Sequence, residues 1–168
     1  MIARIFQTGA RNEFYLTSDG RITRFSRDEL ACRCGCGLAD MREIAIDALN
    51  EARTRFGHPM IPTSGVRCPS HNTAIGGSAD SAHMEGLAID LKSTHPIWDL
   101  YEVLGLYFNR VWAYSQSLGL FCHADMRPSR LRRVKTRDGE FAVPEFCSYY
   151  RLDPDTPRDR IQEVLETT

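Results

Sequence analysis

The sequence predicts an α+β fold: one domain with a small, mainly antiparallel sheet and helices packed on one side of it. Its 168 residues, 42% hydrophobic and 26% charged, suit a single compact domain with one core. Two stretches carry helical spacing: Met41, Ile44, Ala45, Ala48, Leu49, Ala52 and Phe56, then Ile97, Leu100, Tyr101, Leu104 and Phe108. Between and after them, Leu87–Leu91 and Leu120–Met126 alternate with the period of a strand.

Taken in order, Glu13 to Phe25 alternates around Ser18-Asp19-Gly20 and predicts a hairpin. Ser26 is placed to cap a short helix, with Glu29 at the capping-box position. A cysteine-glycine loop follows. Asp40, with Glu43 three residues on, is expected to cap the first long helix, which Gly57 stops. Met60 to Thr63 predicts a short strand ending in a Ser64-Gly65 turn, and Pro69 to Ser81 a loop with one helical turn. In the strand Leu87–Leu91, Leu87, Ile89 and Leu91 face the core and Asp90 faces away. Pro96 to Val111 predicts the second helix. Leu120–Met126 is expected to put His123 and Asp125 on one face and Cys122 and Ala124 on the other. A basic run from Arg127 to Arg137, expected as a solvated face, leads to an Asp138-Gly139 turn, and Thr156 to Thr168 carries a weak helical pattern. The expected division is residues 1–24 as an N-terminal arm or hairpin, 25–128 as the main domain, and 129–168 as an extension packed on or docking from it.

A net charge of -1 argues against a general nucleic-acid binder. No apolar run reaches the length of a membrane span, and Met1 to Ala10 lacks the pattern of a signal peptide. Synthesis in a cytoplasm is expected. In a reducing compartment clustered cysteines bind metal or stay free more often than they form disulfides. Cys32, Cys34, Cys36 and Cys68 are therefore read three ways, as a small structural metal site, a disulfide or free thiols, with a slight preference for a structural staple. Cys122 reads as a small core residue.

The stretch from Ser64 to Asp90, with His123, holds the side chains of a mononuclear zinc site. Zinc takes His nitrogen and Asp oxygen, and three protein ligands leave one position open. His83 and Asp90 are seven residues apart, and a turn at Gly86 can bring them to one centre. His123 supplies a third donor if the two strands are neighbours. The spacing alone is a weak signal.

The motifs strengthen it. S-G-V-R at Ser64–Arg67, S-A-H-M-E-G-L-A-I-D at Ser81–Asp90 and C-H-A-D-M-R at Cys122–Arg127 resemble the zinc D-Ala-D-Ala carboxypeptidase family of peptidoglycan peptidases. The upstream F-S-R-D-E-L-A-C-R-C-G-C-G, Phe25 to Gly37, resembles the start of one branch, so the likeness runs from Phe25 to Pro128. The resemblance implies a D-Ala-D-Ala carboxypeptidase/hedgehog-like fold, with Zn2+ held by His83, Asp90 and His123. It implies that Arg67 grips a substrate carboxylate or carbonyl. Ser81 either hydrogen-bonds substrate, orients a ligand or caps a turn. Many members place Glu or Asp three residues before the last zinc histidine, where this chain has Leu120. Asp125 is the expected substitute as general base, with a ligand-orienting role as the alternative. His71 and His95 are expected to be structural or surface residues.

The activity so implied is zinc-dependent hydrolysis of peptide bonds in peptidoglycan stem peptides or cross-links. The alternative is a catalytically impaired zinc-binding structural or virion-associated protein of the same fold. Peptidoglycan is the expected partner. Without a signal peptide the expected setting is a phage, as an endolysin or a virion component, with phage virion or tail proteins bound through the terminal segments.

Overall fold

Alternation in the first 26 residues yields a sheet of three antiparallel strands, β1 (Ile5–Thr8), β2 (Asn12–Leu16) and β3 (Ile22–Ser26), of which β2 and β3 form the expected hairpin. The computed structural model describes residues 1–8, 12–153 and 156–168. Residues 9–11 of the expected N-terminal arm lie outside them. This sheet is fastened to the rest of the chain: Ala3 N donates to Met41 O, and the Tyr15 hydroxyl, fully buried, donates to Ala39 O. Ser26 and Glu29 form the expected capping box on α1 (Arg27–Leu30).

The first long helix, α2 (Glu43–Phe56), starts later than its pattern suggests. Asp40 does not cap it; Arg42 occupies that position, with no side-chain cap. The physical reason is tertiary. Glu43 N donates to Met1 O and Arg42 N to Gly86 O, so neighbouring segments satisfy backbone donors that a capping side chain would otherwise serve. Met41 stays fully buried from an extended position, whereas Ile44, expected on the buried stripe, is exposed. Gly57 ends the helix in the left-handed conformation, as its position predicts.

The remaining elements build a second sheet and its cover. They are β4 (Ile61–Ser64), α3 (Pro69–Ala74), β5 (Ala88–Lys92), α4 (Ile97–Tyr107), β6 (Arg110–Tyr114), β7 (Phe121–Asp125), β8 (Leu131–Thr136), β9 (Gly139–Ala142), α5 (Val143–Tyr149) and α6 (Arg158–Thr167). The six strands run in the order β4-β5-β7-β6-β8-β9, all antiparallel neighbours except the parallel pair β6 and β8. The mainly antiparallel α+β architecture matches the sequence.

Two expectations fail here. The second helix ends at Tyr107, and Arg110-Val111 begin a strand that the helical pattern concealed. Val111 falls three residues after Phe108 and so continues the helical spacing by coincidence, while Val111 and Ala113 are the buried positions of a period-two strand. The basic run is a solvated face only in part: Arg130 and Arg137 are exposed, while Arg127, Arg132, Arg133 and Lys135 are half-buried. It supplies β8, an interior strand, and its Arg132 guanidinium turns to the core side and receives the end of α4: it donates to the carbonyls of Gly105, Phe108 (3.0 Å) and Asn109 (2.7 Å).

Register decides what each face carries. Ile89, Ala124 and Val111 form one cross-strand row, and Leu91, Cys122, Ala113 and Val134 another; all are buried in the core shared with α2, α4 and α6. The opposite face carries Ser64, Asp90, His123, Trp112 and Arg133 in a single row across five strands.

Candidate metal centre

Asp90 and His123 are register partners on β5 and β7, so the pleat alone sets them side by side on the open face. His83 reaches the same point from the tight turn before β5. Gly86 makes that turn feasible, at φ +68°, with so little room that an added Cβ would stand 2.2 Å from Asp40 O. The donor atoms of His83, Asp90 and His123 lie within 4.8 Å of one another. The structure thus brings together all three residues predicted as ligands.

Each imidazole is held by its outer nitrogen, which leaves the inner one for a ligand. Nδ1 of His83 lies 2.7 Å from the Gly65 carbonyl, an interaction that needs the proton on Nδ1 and bares Nε2. That Nε2 is 3.3 Å from Asp90 Oδ1 and 3.2 Å from His123 Nδ1. His123 is turned the other way, with Nδ1 2.8 Å from Asp90 Oδ1 and Nε2 3.3 Å from Asp125 Oδ2. Gly65 is itself fixed by space: a Cβ there would stand 2.1 Å from Leu30 O.

Electrostatics agree with the geometry. Burial pushes the His83 pKa below its ordinary value and keeps that imidazole neutral, as a metal ligand must be. Burial also opposes the charged form of His123, but hydrogen bonds to Asp125 and Asp90 outweigh it and raise the pKa to about 8. Burial would raise the Asp90 carboxyl, yet the facing histidines hold it well below the usual carboxylate range. Two carboxylates around one imidazole favour a cation at this point. Two imidazole nitrogens and a carboxylate oxygen with anchored far sides fit Zn2+, which accepts this donor set in tetrahedral sites.

Arg67 and Asp125 each contact one of the three donors, Arg67 from the cleft wall and Asp125 from beneath it. Arg67 donates from Nη2 to Asp90 Oδ2 (2.5 Å) and from Nε to Ser64 Oγ (2.8 Å), so it fixes the carboxylate rotamer and leaves Oδ1 inward. Asp125 has no exposed surface. Oδ1 accepts from Arg127 N (2.9 Å), and Oδ2 takes both Arg127 Nη2 (2.8 Å) and the contact to His123. Burial alone would raise its pKa, but His123 and Arg127 lower it to about 2. So enclosed, Asp125 contacts His123 and has no surface open to a substrate, which is a steric obstacle to its expected role as the base.

A cleft of about 550 Å³ opens over the centre, lined among others by Arg67, Ser81, Trp112, Arg127 and Glu140. Ser81 is at its wall, where its backbone also closes turns with Ser78 and Met84. His95 lies elsewhere, stacked on His58 with ring centroids 3.2 Å apart. His71 contributes its backbone N–H to Cys68 Sγ. Sequence reasoning overlooked Trp112, whose ring stands edge-on to His123 at 5.3 Å and whose Nε1 donates to Glu140. It also overlooked Arg127 as the partner of Asp125. The alternation of Arg110–Tyr114 would have exposed Trp112 had it been read as a strand.

An anchored His–Asp–His triad at the floor of an open cleft has the donor set to hold one metal ion. A family model described as Peptidase M15 matches residues 23–124, more than half of the chain, and the chain belongs to that zinc D-Ala-D-Ala carboxypeptidase-like family. It is accordingly a peptidase by family. No curated protein matches the chain.

Proposed function

We propose that this protein is a zinc-dependent peptidase that hydrolyses peptide bonds of peptidoglycan stem peptides or cross-links. The observation that carries the reading is the convergence of His83 Nε2, Asp90 Oδ1 and His123 Nδ1 beneath an open cleft within a Peptidase M15 chain. Zinc, if held by His83, Asp90 and His123, would supply Lewis acidity to a scissile carbonyl and lower the pKa of water. The chain's own residues do the rest. Gly65 O and Asp125 fix the two imidazole rings, and Arg67 fixes the Asp90 carboxylate. Arg67 and Arg127, both at the cleft wall, give it positive charge for a substrate carboxylate. Glu140, positioned by Trp112 Nε1 at 3.0 Å, is the cleft carboxylate we assign to the proton in place of the enclosed Asp125.

A second reading has its own observation. Leu120, at the position where the family resemblance leads one to expect a carboxylate, adopts φ +46°, and Asp125 is sequestered, so the centre can persist as a stabilising zinc site without catalysis. Mass-spectrometric product analysis on defined muropeptides decides between the two. Wild type is expected to release cleaved peptides and His83→Ala to release none. Glu140→Gln is expected to keep its zinc and lose at least about 100-fold in kcat. Wild-type zinc content with no cleavage would establish the structural reading, and undiminished cleavage by His83→Ala would sink both the metal assignment and the mechanism.

A further inference from the structure

The cysteine loop lies outside the cleft and is unused by the chemistry above. Cys32, Cys34 and Cys36 alternate along it, and Cys68 approaches from the segment that follows Arg67. The four Sγ atoms all lie within 4.8 Å of one another. Cys34 Sγ is 3.4 Å from Cys32 Sγ and 3.6 Å from Cys68 Sγ. Four sulfurs held about 2.3 Å from one zinc ion stand ~3.8 Å apart at tetrahedral angles, so these separations are those of ligands around a common ion.

The surrounding backbone is shaped to present the four thiols. Gly35 and Gly37 take left-handed φ values of +77° and +79°, which lets the short loop double back and aim alternate side chains at one point. Cys32 N donates to Leu38 O at 2.7 Å and Gly35 N to Cys32 O at 3.2 Å, closing that loop on itself. Arg33 ties it outward to Pro62 O, and Arg27 ties it to Gly37 O. Polar hydrogens are directed at the sulfurs. Cys68 N donates to Cys32 Sγ (3.3 Å), His71 N to Cys68 Sγ (3.4 Å), and Ser70 Oγ lies 3.2 Å from Cys68 Sγ. N–H groups directed at sulfur stabilise a thiolate over a thiol, which offsets the negative charge of a tetrathiolate site.

We propose that Cys32, Cys34, Cys36 and Cys68 form a second, structural metal site that binds one soft divalent ion, zinc in the first place, through four thiolates. Each thiol releases its proton to solvent as the ion binds, with no change of oxidation state. Four protein ligands close the coordination shell, so the site has no position for substrate and serves to hold the fold. What it fastens matters to the cleft. Cys68 adjoins Arg67, which grips Asp90, and an ion at the sulfurs pins this segment to the loop between α1 and α2. The proposal does not rest on the peptidase reading.

The experiment counts metal in the full-length chain and identifies its ligands. Wild type purified without reductant or added metal is expected to carry two zinc ions, His83→Ala/His123→Ala one, and Cys34→Ser/Cys36→Ser one. Zinc-edge X-ray absorption of the His83→Ala/His123→Ala chain is expected to show a sulfur-only shell at about 2.3 Å. Should either variant fail to fold, 113Cd resonance of the wild-type chain loaded with cadmium gives the same answer. Two signals are expected, one in the all-sulfur region and one in the nitrogen-oxygen region. Absence of the all-sulfur signal, no zinc in His83→Ala/His123→Ala, or a disulfide among these cysteines by intact-mass analysis would overturn the proposal. A chain that cleaves no muropeptide yet keeps the sulfur-bound ion would sink the peptidase reading and leave this one standing.

Discussion

His123 is held from both sides, by Asp90 at Nδ1 and by Asp125 at Nε2, and the two contacts have opposite meanings. The first is between prospective ligands; the second fixes the ring plane and the tautomer. Asp125 is itself clasped by Arg127 through three bonds, two from the guanidinium and one from the backbone. Partners of this kind are worth about 10–100-fold in metal affinity. Asp125→Asn preserves shape but loses the charge, and it is expected to weaken zinc at the His83 centre by about that factor. Competition with a chromophoric chelator measures this; an unchanged dissociation constant would show that His123 needs no such support. The sequence exposed His83, Asp90 and His123 through their types and motif spacing. It did not assign their atoms. Which nitrogen points inward depends on Gly65 O and Asp125, groups that come near only once β4, β5 and β7 are paired.

At the level of elements, the end of α4 depends on a residue from another strand. Its last carbonyls have no partners within the helix, and the Arg132 guanidinium on β8 receives those of Gly105, Phe108 and Asn109. A cation there also complements the negative end of the helix dipole. Hydrogen bonds to a charged group contribute about 1.5–3 kcal/mol each when removed from partly buried surroundings, so Arg132→Met should destabilise the chain by at least about 1.5 kcal/mol. Urea denaturation followed by far-ultraviolet circular dichroism checks it, and an unmoved midpoint would mean that water replaces the guanidinium at no cost. The start of α2 teaches the same lesson. Asp40 and Glu43 spell a capping box, yet Met1 O and Gly86 O do the work from distant parts of the chain. Local capping chemistry was legible and misleading, because tertiary partners outcompeted it. At Ser26, where no such partner intervenes, the same signature was right.

For the molecule as a whole, one sheet separates two functions. Its helix-facing side is apolar apart from Arg132 at the end of α4, and its open side carries the row from Ser64 to Arg133. An ion bound at that side would tie β5, β7 and the turn at His83 together and so link metal to fold. Zinc at 100 times its dissociation constant adds about 2.7 kcal/mol to stability, or about 5–11 °C in Tm for a chain of this length. In the Cys34→Ser/Cys36→Ser chain, which lacks the sulfur site, removal by chelator is expected to lower Tm accordingly, and added zinc to restore it, followed by differential scanning calorimetry; a Tm indifferent to chelation would rule out metal bound only by the folded state.

Periodicity was enough to determine the α+β class, the two long helices and the faces of β5 and β7, because these depend on local spacing and side-chain type; the three prospective ligands came from the family resemblance of their motifs. Tertiary structure alone decided the rest. Burial behind His123 closed Asp125 off from the cleft, pairing with β6 made residues 131–136 of the basic run an interior strand, and the parallel approach of β6 and β8 was invisible in either segment. The four cysteines mark the boundary: the sequence supplied the thiols and left three readings open, and the fold set their sulfurs within reach of one ion. Distances between residues remote in the chain are fixed by packing and pairing, and no local pattern encodes them.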